Sequence, residues 1–417
     1  MPQGFGKVSP YISLCAIVKN EEQYLAQCLE SAKLLVNEMI VVDTGSSDRT
    51  IEIAKKYTKQ VYRYEWHDDF SSARNYSLSK AHGKWILILD ADEVLIKESI
   101  PIIKQLTQQP DLLAINLMRR EINAEQAPYS SVCRLFRNRP DLRFWGIYHE
   151  TIENDLQKIQ QQEPHWQIGL LEQPAIAHYG YSPSELQRKH KQQFARRLME
   201  KHLSIYPNDP YMQNKLGALK ARAGEFQEGI ELLLNSWQNL QSVPNQNNLK
   251  FEVLYHLGCV YENLQEWHLA QIYYEQSLQI PVPRIIQLAS WNNLGIMYYY
   301  QQDLQSAIVC LQEVIDIDPQ RKAAYENLGL VLRANGELEL AKQAYEYALY
   351  LDPHYASAHQ NLAVVLWKLG KIEEAKLEFQ RAIELYAQQG DHHTAQYISN
   401  QLQELGMTGQ IASNHSV

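Results

Sequence analysis

The amino-acid sequence predicts an α/β domain built on a mostly parallel sheet, followed by an all-α solenoid of paired helices. Strongly apolar runs alternate with helical patterns through residues 11–95. After Tyr181 the strand-like runs stop and helical periodicity takes over. Gly295, Gly329 and Ala363 then recur at intervals of 34 residues, as do Pro319 and Pro353, which is the spacing of a stacked helix pair.

The first predicted strand is "YISLCAIV" (11–18), and a helix follows from Glu22 to Leu35 with Leu25, Leu29 and Ala32 on one face. "EMIVVD" (38–43) reads as a second strand, and Asp48 begins a helix that carries Ile51, Ile53 and Ala54. "QVYRYEW" (60–66) is a third strand, "SSARNYSLSKA" (71–81) a helix, and "KWILILD" (84–90) a fourth strand. Strands this apolar are buried on both faces, which in alternation with helices points to a parallel sheet. Such sheets bind ligands at the carboxyl ends of their strands.

The helical half opens with "YSPSELQRKH", where Ser182 is a cap, Pro183 lies in the first turn and Glu185 completes a capping box. Units starting at Trp291, Tyr325 and His359 agree position by position. They share the small residues Ala307, Ala341 and Ala375, which let paired helices approach closely. Two looser units precede them, one with Gly258, Tyr261 and Ala270, the other with Gly217 and Gly229. The period is that of a tetratricopeptide repeat, and the polar last helix, "HHTAQYISNQLQEL", reads as a cap. Such arrays present a concave face that binds a peptide or a protein; the plain alternative is that this one only stabilises the first domain or makes a dimer.

The expected boundaries are 1–181 for the α/β domain, 182–209 for a linking helix, 210–389 for about five repeats and 390–417 for a capping helix and tail. A chain of 417 residues is too long for one ordinary core. Its net charge of −9 gives no basic footprint and counts against nucleic acid as a partner. Cys15, Cys28, Cys133, Cys259 and Cys310 are scattered and show no ligand spacing, which suits a reducing compartment. No stretch is apolar for long enough to span a membrane, and the early apolar run makes a poor signal peptide, so a cytoplasmic location is expected.

The fourth strand runs straight into Asp90, Asp92 and Glu93. The first ends in "KNEE" (19–22) and the second in "DTGSSDRT" (43–50), so three strands deliver acids or polar groups to one edge of the sheet. A helix cap explains each alone, and for Asp48 it remains a full alternative. Together they describe a pocket. Acids at the first two strand ends can hydrogen-bond a ribose or base, while the later pair can take a metal that bridges a diphosphate. Arg74 in "ARN" can add a positive contact. The Gly-rich turns of dinucleotide-binding sheets and of phosphate-binding loops are absent, which excludes most dehydrogenases and ATPases.

The pieces "SLCAIVKNEEQYLAQCLES", "IVVDTGSSDRT", "ARN" and "ILILDADE" resemble, in order and approximate spacing, the family 2 glycosyltransferases. These have the Rossmann-like nucleotide-diphospho-sugar transferase (glycosyltransferase A) fold. "CRLFRN…FWGIYHE" and "AHYGY" look like the remainder of a subgroup in which tetratricopeptide repeats follow the transferase domain. The resemblance implies that Asn20, Glu21 and Asp43 contact the nucleoside, with Asp48 beside them, and that Asp90 and Asp92 face a diphosphate bound through Mg²⁺ or Mn²⁺. It also implies transfer with inversion from a nucleotide-diphospho-sugar, expected to be a UDP-sugar, to an acceptor hydroxyl activated by a general base.

No plain copy of the family's acidic base motif is present, and Glu150 in "GIYHE" is the nearest candidate. His149 has the more suitable intrinsic pKa, and both residues could instead merely start a helix at Thr151. His178 could complete the metal shell or be a packed, hydrogen-bonded histidine. Arg134 and Arg137 could reach the diphosphate or the sugar, or stay at a strand edge. The resemblance therefore implies a metal-dependent glycosyltransferase whose repeats bind a protein partner or the acceptor. The alternative from another class is a repeat scaffold with an inactive transferase domain.

Overall fold

The computed structural model describes residues 11–122, 124, 127–180, 189–241, 243 and 246–404. The helix-start signature at Ser182, Pro183 and Glu185 and the tail 405–417 lie outside the described residues. The chain forms two compact units, Met1–Glu266 with Gln279–Ile286, and Trp267–Leu278 with Gln287–Val417.

In the first unit, strands β1 (Ile12–Val18), β2 (Glu38–Asp43), β3 (Val61–Arg63), β4 (Trp85–Ile88), β5 (Glu93–Leu95), β6 (Leu112–Glu121), β7 (Tyr129–Arg137) and β8 (Gln167–His178) make one sheet. Their spatial order is β3-β2-β1-β4-β7-β6-β8-β5. The four apolar runs pair in parallel, β3 with β2, β2 with β1 and β1 with β4. Beyond β4 the sheet is mixed: β7 is antiparallel to both β4 and β6, β6 is parallel to β8, and β5 is antiparallel to β8. Apart from β6, these later strands carry less continuous apolar sequence, so no apolar run marks them.

Alternation along each central strand sends side chains to both faces. Ile12, Leu14, Ala16 and Val18 of β1 join Trp85, Leu87 and Leu89 in one core, with Leu25 and Leu29 of α1 (Leu25–Ala32) against them. Cys15 joins Ile86, Ile88 and Phe136 in the other, beside Leu78 of α3 (Phe70–Leu78) and Leu156 of α5 (Glu153–Gln162). Helices α2 (Thr50–Tyr57) and α4 (Ile100–Thr107) complete the α/β part. Burial on both faces is the physical reason the four strands read as unbroken apolar runs.

Several elements are shorter than the sequence suggests. The first helix loses its first turn because Glu21 O accepts from both Tyr24 N (3.2 Å) and Leu25 N (3.0 Å) in a tight bend. The third strand stops at Arg63 and the chain then turns into the aromatic contact between Trp66 and Phe70. "RFWG" forms only an isolated bridge, Trp145 with Thr151, and the helix read at Thr151 starts at Glu153.

The first unit continues through α6 (Lys189–Ile205), α7 (Pro210–Arg222), α8 (Phe226–Leu240) and α9 (Asn247–Asn263). Asp209 caps α7 by accepting from Met212 N, with Pro210 at the first helical position. Ala195, Met199, Met212 and Leu216 form a buried cluster between α6 and α7, and Tyr148 of the α/β part packs on it.

The second unit holds α10 (Trp267–Leu278), most of α11 (Arg284–Tyr300), α12 (Leu304–Ile317), α13 (Lys322–Ala334), α14 (Leu338–Leu351), α15 (Ala356–Lys368), α16 (Ile372–Gln388) and α17 (His392–Glu404). Ala307, Ala341 and Ala375 are fully buried, as helix pairs at close approach require. A methyl group at Gly329 would lie 2.8 Å from the ring of Tyr345, which is itself completely buried. Gly329→Ala gains about 1 kcal/mol of helix propensity but overpacks a ring with nowhere to retreat, at ~1–3 kcal/mol. We expect a net loss of roughly 1 kcal/mol in a urea melt; a stabilised variant would show that the helix pair separates readily.

All five cysteines are free thiols. Among the described residues no helix is long and apolar enough to cross a membrane.

Candidate active site

The tips of β1, β2 and β4 stand side by side, because those strands are adjacent and parallel. The first two tips are laced together by their own polar groups. Asn20, in left-handed backbone (φ 57), donates its N–H to Ser46 Oγ (2.9 Å), and its Oδ1 accepts from Ser47 N (2.8 Å). Glu21 N donates to Thr50 Oγ1 (2.7 Å) and Glu22 N to Asp48 Oδ2 (3.1 Å). Asp43 is buried and accepts from Gly45 N and Ser46 N, which turns the loop after β2 back on itself. Asp48, one residue before the N-cap Arg49, accepts from Thr50 N (2.9 Å) at the start of the next helix. Partial desolvation opposes its ionisation, but the bonds from Thr50 and from Glu22 N–H hold its carboxyl below the ordinary value.

At the tip of β4 the carboxylates meet arginines. Asp90 accepts from Arg74 Nη2 through Oδ1 and from Arg134 Nη2 through Oδ2 (2.5 Å). Burial works against its charge, yet the Arg134 and Arg74 guanidinium groups outweigh it and hold the carboxyl well below the usual range. Arg74 comes from α3 and is almost fully buried; its Nε donates to Glu150 Oε1 (2.8 Å). Glu93 is completely buried and ties the corner, accepting from Asp90 N (2.9 Å), Arg134 Nη2 (2.9 Å) and Arg119 Nη1 (3.0 Å). Among the described residues two buried donors here, Arg74 Nη1 and Arg134 Nε, have no protein partner.

Asp92 faces His178 at the end of β8, with Oδ2 3.4 Å from Nε2. The other ring nitrogen, Nδ1, lies 2.5 Å from Glu121 Oε2. Burial would strip the ring of its proton, but the bonds to Asp92 and Glu121 prevail and raise its pKa to about 9.

The structure separates three of the expected residues from this group. His149 and Glu150 part company: left-handed backbone at His149 (φ 52) turns its ring against Tyr148 and toward Tyr211, while Glu150 reaches Arg74. His149 is exposed, and crowding and the Lys215 ammonium push its pKa down. Arg137 does not reach the site, because it pairs with Trp85 at the opposite end of β4. There it stacks on that indole (4.4 Å) and donates to the Leu112 carbonyl. Asp48 gives one oxygen to Glu22 N of the loop after β1 and the other to Thr50 N.

Arg119, Glu121 and Gly180 were not legible as site residues. The available signal was "LLAINLMRRE", an apolar strand that ends in charge as "WILILD" does.

Among the described residues no three His, Cys, Asp or Glu side chains stand together as a ready metal cage. Asp92 and His178 nevertheless fit a hard cation: their 3.4 Å separation is near that of adjacent ligands on a cation with bonds of ~2.1 Å. Such ions keep several positions for water and phosphate oxygens. A Cβ at Gly180 would lie 2.6 Å from His178 Nε2 and 3.0 Å from Asp92 Oδ2, so the space in front of both groups depends on glycine.

Residues 13–169 match the family described as Glycosyl transferase family 2. Tetratricopeptide-repeat families match residues 251–281, 289–321, 329–370 and 356–395. A TPR repeat-containing protein of Synechococcus elongatus is 39% identical over 75% of this chain and 77% of its own length. The SPbeta prophage-derived glycosyltransferase SunS of Bacillus subtilis is 26% identical over 74% of this chain and 71% of its own. An uncharacterized glycosyltransferase of Rickettsia felis is 30% identical over 43% of this chain and 65% of its own.

Proposed function

Because the chain belongs to glycosyl transferase family 2 and carries tetratricopeptide repeats behind its transferase domain, we propose that it moves a sugar from a nucleotide-diphospho-sugar to an acceptor hydroxyl with inversion. A UDP-sugar is the proposed donor, and a protein or peptide held by the repeats the proposed partner. The observation that carries this reading is the Arg74 bridge. One buried guanidinium links Asp90, at the tip of β4, to Glu150. The leaving-group side and the base side of a displacement thereby lie within the span of one side chain.

In this reading Asn20, Glu21 and Asp43 form the nucleoside end. Asp92 and His178 would hold Mg²⁺ or Mn²⁺, which neutralises charge on the departing diphosphate. Arg74 Nη1 and Arg134 Nε, buried donors that lack a protein acceptor among the described residues, suit phosphate oxygens. Binding the diphosphate would let both arginines exchange Asp90 for phosphate. Glu150 takes the proton from the acceptor hydroxyl as its oxygen attacks the anomeric carbon and the sugar–phosphate bond breaks. Arg74 orients that carboxylate through its Nε bond, and fixed charge around the leaving group lowers the barrier without reorganisation.

The test is a thermal-shift panel of nucleoside diphosphates and nucleotide sugars with Mn²⁺, since a ligand that binds only the folded state raises the melting temperature. At a hundredfold excess over Kd the expected gain is about 2.7 kcal/mol. UDP with Mn²⁺ should stabilise, and UDP with EDTA should not. No shift with any nucleotide would instead favour a scaffold whose transferase domain is inactive.

A further inference from the structure

One rung of the sheet crosses three strands. The register sets Glu93 of β5 opposite His178 of β8, and His178 opposite Glu121 of β6. Glu121 is buried and held on several sides: Oε1 accepts from Arg119 Nε (2.7 Å) and Ser130 Oγ (2.8 Å), while Oε2 meets His178 Nδ1 at 2.5 Å. An ionised carboxylate has no hydrogen to donate, so Nδ1 must carry the proton in that contact. A cation that displaces the other ring proton then meets the lone pair of Nε2, and Nε2 is the nitrogen that faces Asp92.

The plain explanation, that Glu121 exists to neutralise Arg119, is weakened by the pairing around it. Arg119 already donates to the buried carboxylate of Glu93 through Nη1 (3.0 Å). A second carboxylate is not needed to compensate that charge, whereas His178 Nδ1 has Glu121 as its carboxylate partner. A Cβ at position 180 would come within 2.6 Å of Nε2 and 3.0 Å of Asp92 Oδ2, so glycine there keeps a side chain off both groups.

We infer that Glu121 is a positioning residue: it fixes the tautomer and tilt of His178 so that Nε2 and the Asp92 carboxylate converge on one divalent cation. The inference rests on the reading of Asp92 and His178 as the cation's ligands. Partners of this kind typically govern metal affinity by ~10–100-fold.

The test uses the full chain with Mn²⁺ and UDP as probes, with bound Mn²⁺ followed by the loss of its free-ion EPR signal. Glu121→Gln is expected to weaken Mn²⁺ binding about 10–100-fold, with a metal-free melting curve close to that of the wild type. Glu121→Asp keeps a charge for Arg119 but draws the carboxylate back from Nδ1. It should weaken Mn²⁺ in the same way, and it serves if the glutamine variant does not fold. Asp92→Asn controls for the parent reading. If Asp92→Asn lowers Mn²⁺ affinity and both Glu121 variants stay within twofold of wild type, the positioning role is overturned and the cation site stands. If Asp92→Asn also leaves affinity unchanged, or the wild type binds no Mn²⁺, both fall.

Discussion

Asp92→Asn is expected to cut release of nucleoside diphosphate from a nucleotide sugar by about a thousandfold in the presence of Mn²⁺, equivalent to ~4 kcal/mol of barrier. The size follows from what the residue faces. Its carboxylate stands against His178 at the mouth of the site with about a fifth of the side chain exposed (21%), so the variant keeps the shape and loses the charge that would hold the cation. Folding should be nearly untouched. Ile88→Ala gives the contrast: Ile88 is completely buried in β4, and its truncation should cost ~2–5 kcal/mol in a denaturant melt. If Asp92→Asn melts as low as Ile88→Ala, Asp92 is a structural residue.

Arg74→Met should have the largest effect on folding of any single change in the site. Arg74 is 3% exposed and bridges Asp90 and Glu150, so its loss leaves Glu150 buried without its cation and Asp90 with Arg134 alone. Breaking a buried pair in this way costs ~3–5 kcal/mol. The pH dependence gives an independent check. Asp90 titrates below its ordinary value in the folded chain, so its contribution is complete above the unfolded pKa and is lost as pH falls below it. Arg74→Met should therefore flatten the acid limb of the stability profile. A variant as stable as wild type at pH 7, with an unchanged acid limb, would show that Arg74 does not hold the two carboxylates.

What the sequence showed and what it hid divide along physical lines. Runs such as "SLCAIV" and "WILILD" are legible because strands buried on both faces must be apolar throughout, and strand tips are where charge first becomes possible. That logic reached Asp43, Asp90 and Asp92, and through "ARN" it reached Arg74. It could not reach Glu121, because the contact between β6 and β8 joins segments 57 residues apart through a sheet order that no local pattern encodes. Arg134 and Arg137 show the limit most clearly. Three residues apart on β7, one enters the acidic corner, while the other lies toward the opposite end of the strand and stacks on Trp85. His149 and Glu150 diverge for a different reason, a single left-handed peptide that composition does not announce.

Tyr148 rests on the cluster made by Met199, Met212 and Leu216, and the next residues along the chain are His149 and Glu150. The floor beneath the proposed proton acceptor is thus laid by helices that a motif-based partition would assign to the other half. A polypeptide truncated at residue 181 would keep every signature motif yet lose that footing. Swapping one repeat array for another would likewise leave the catalytic edge unsupported unless α6 and α7 travelled with it.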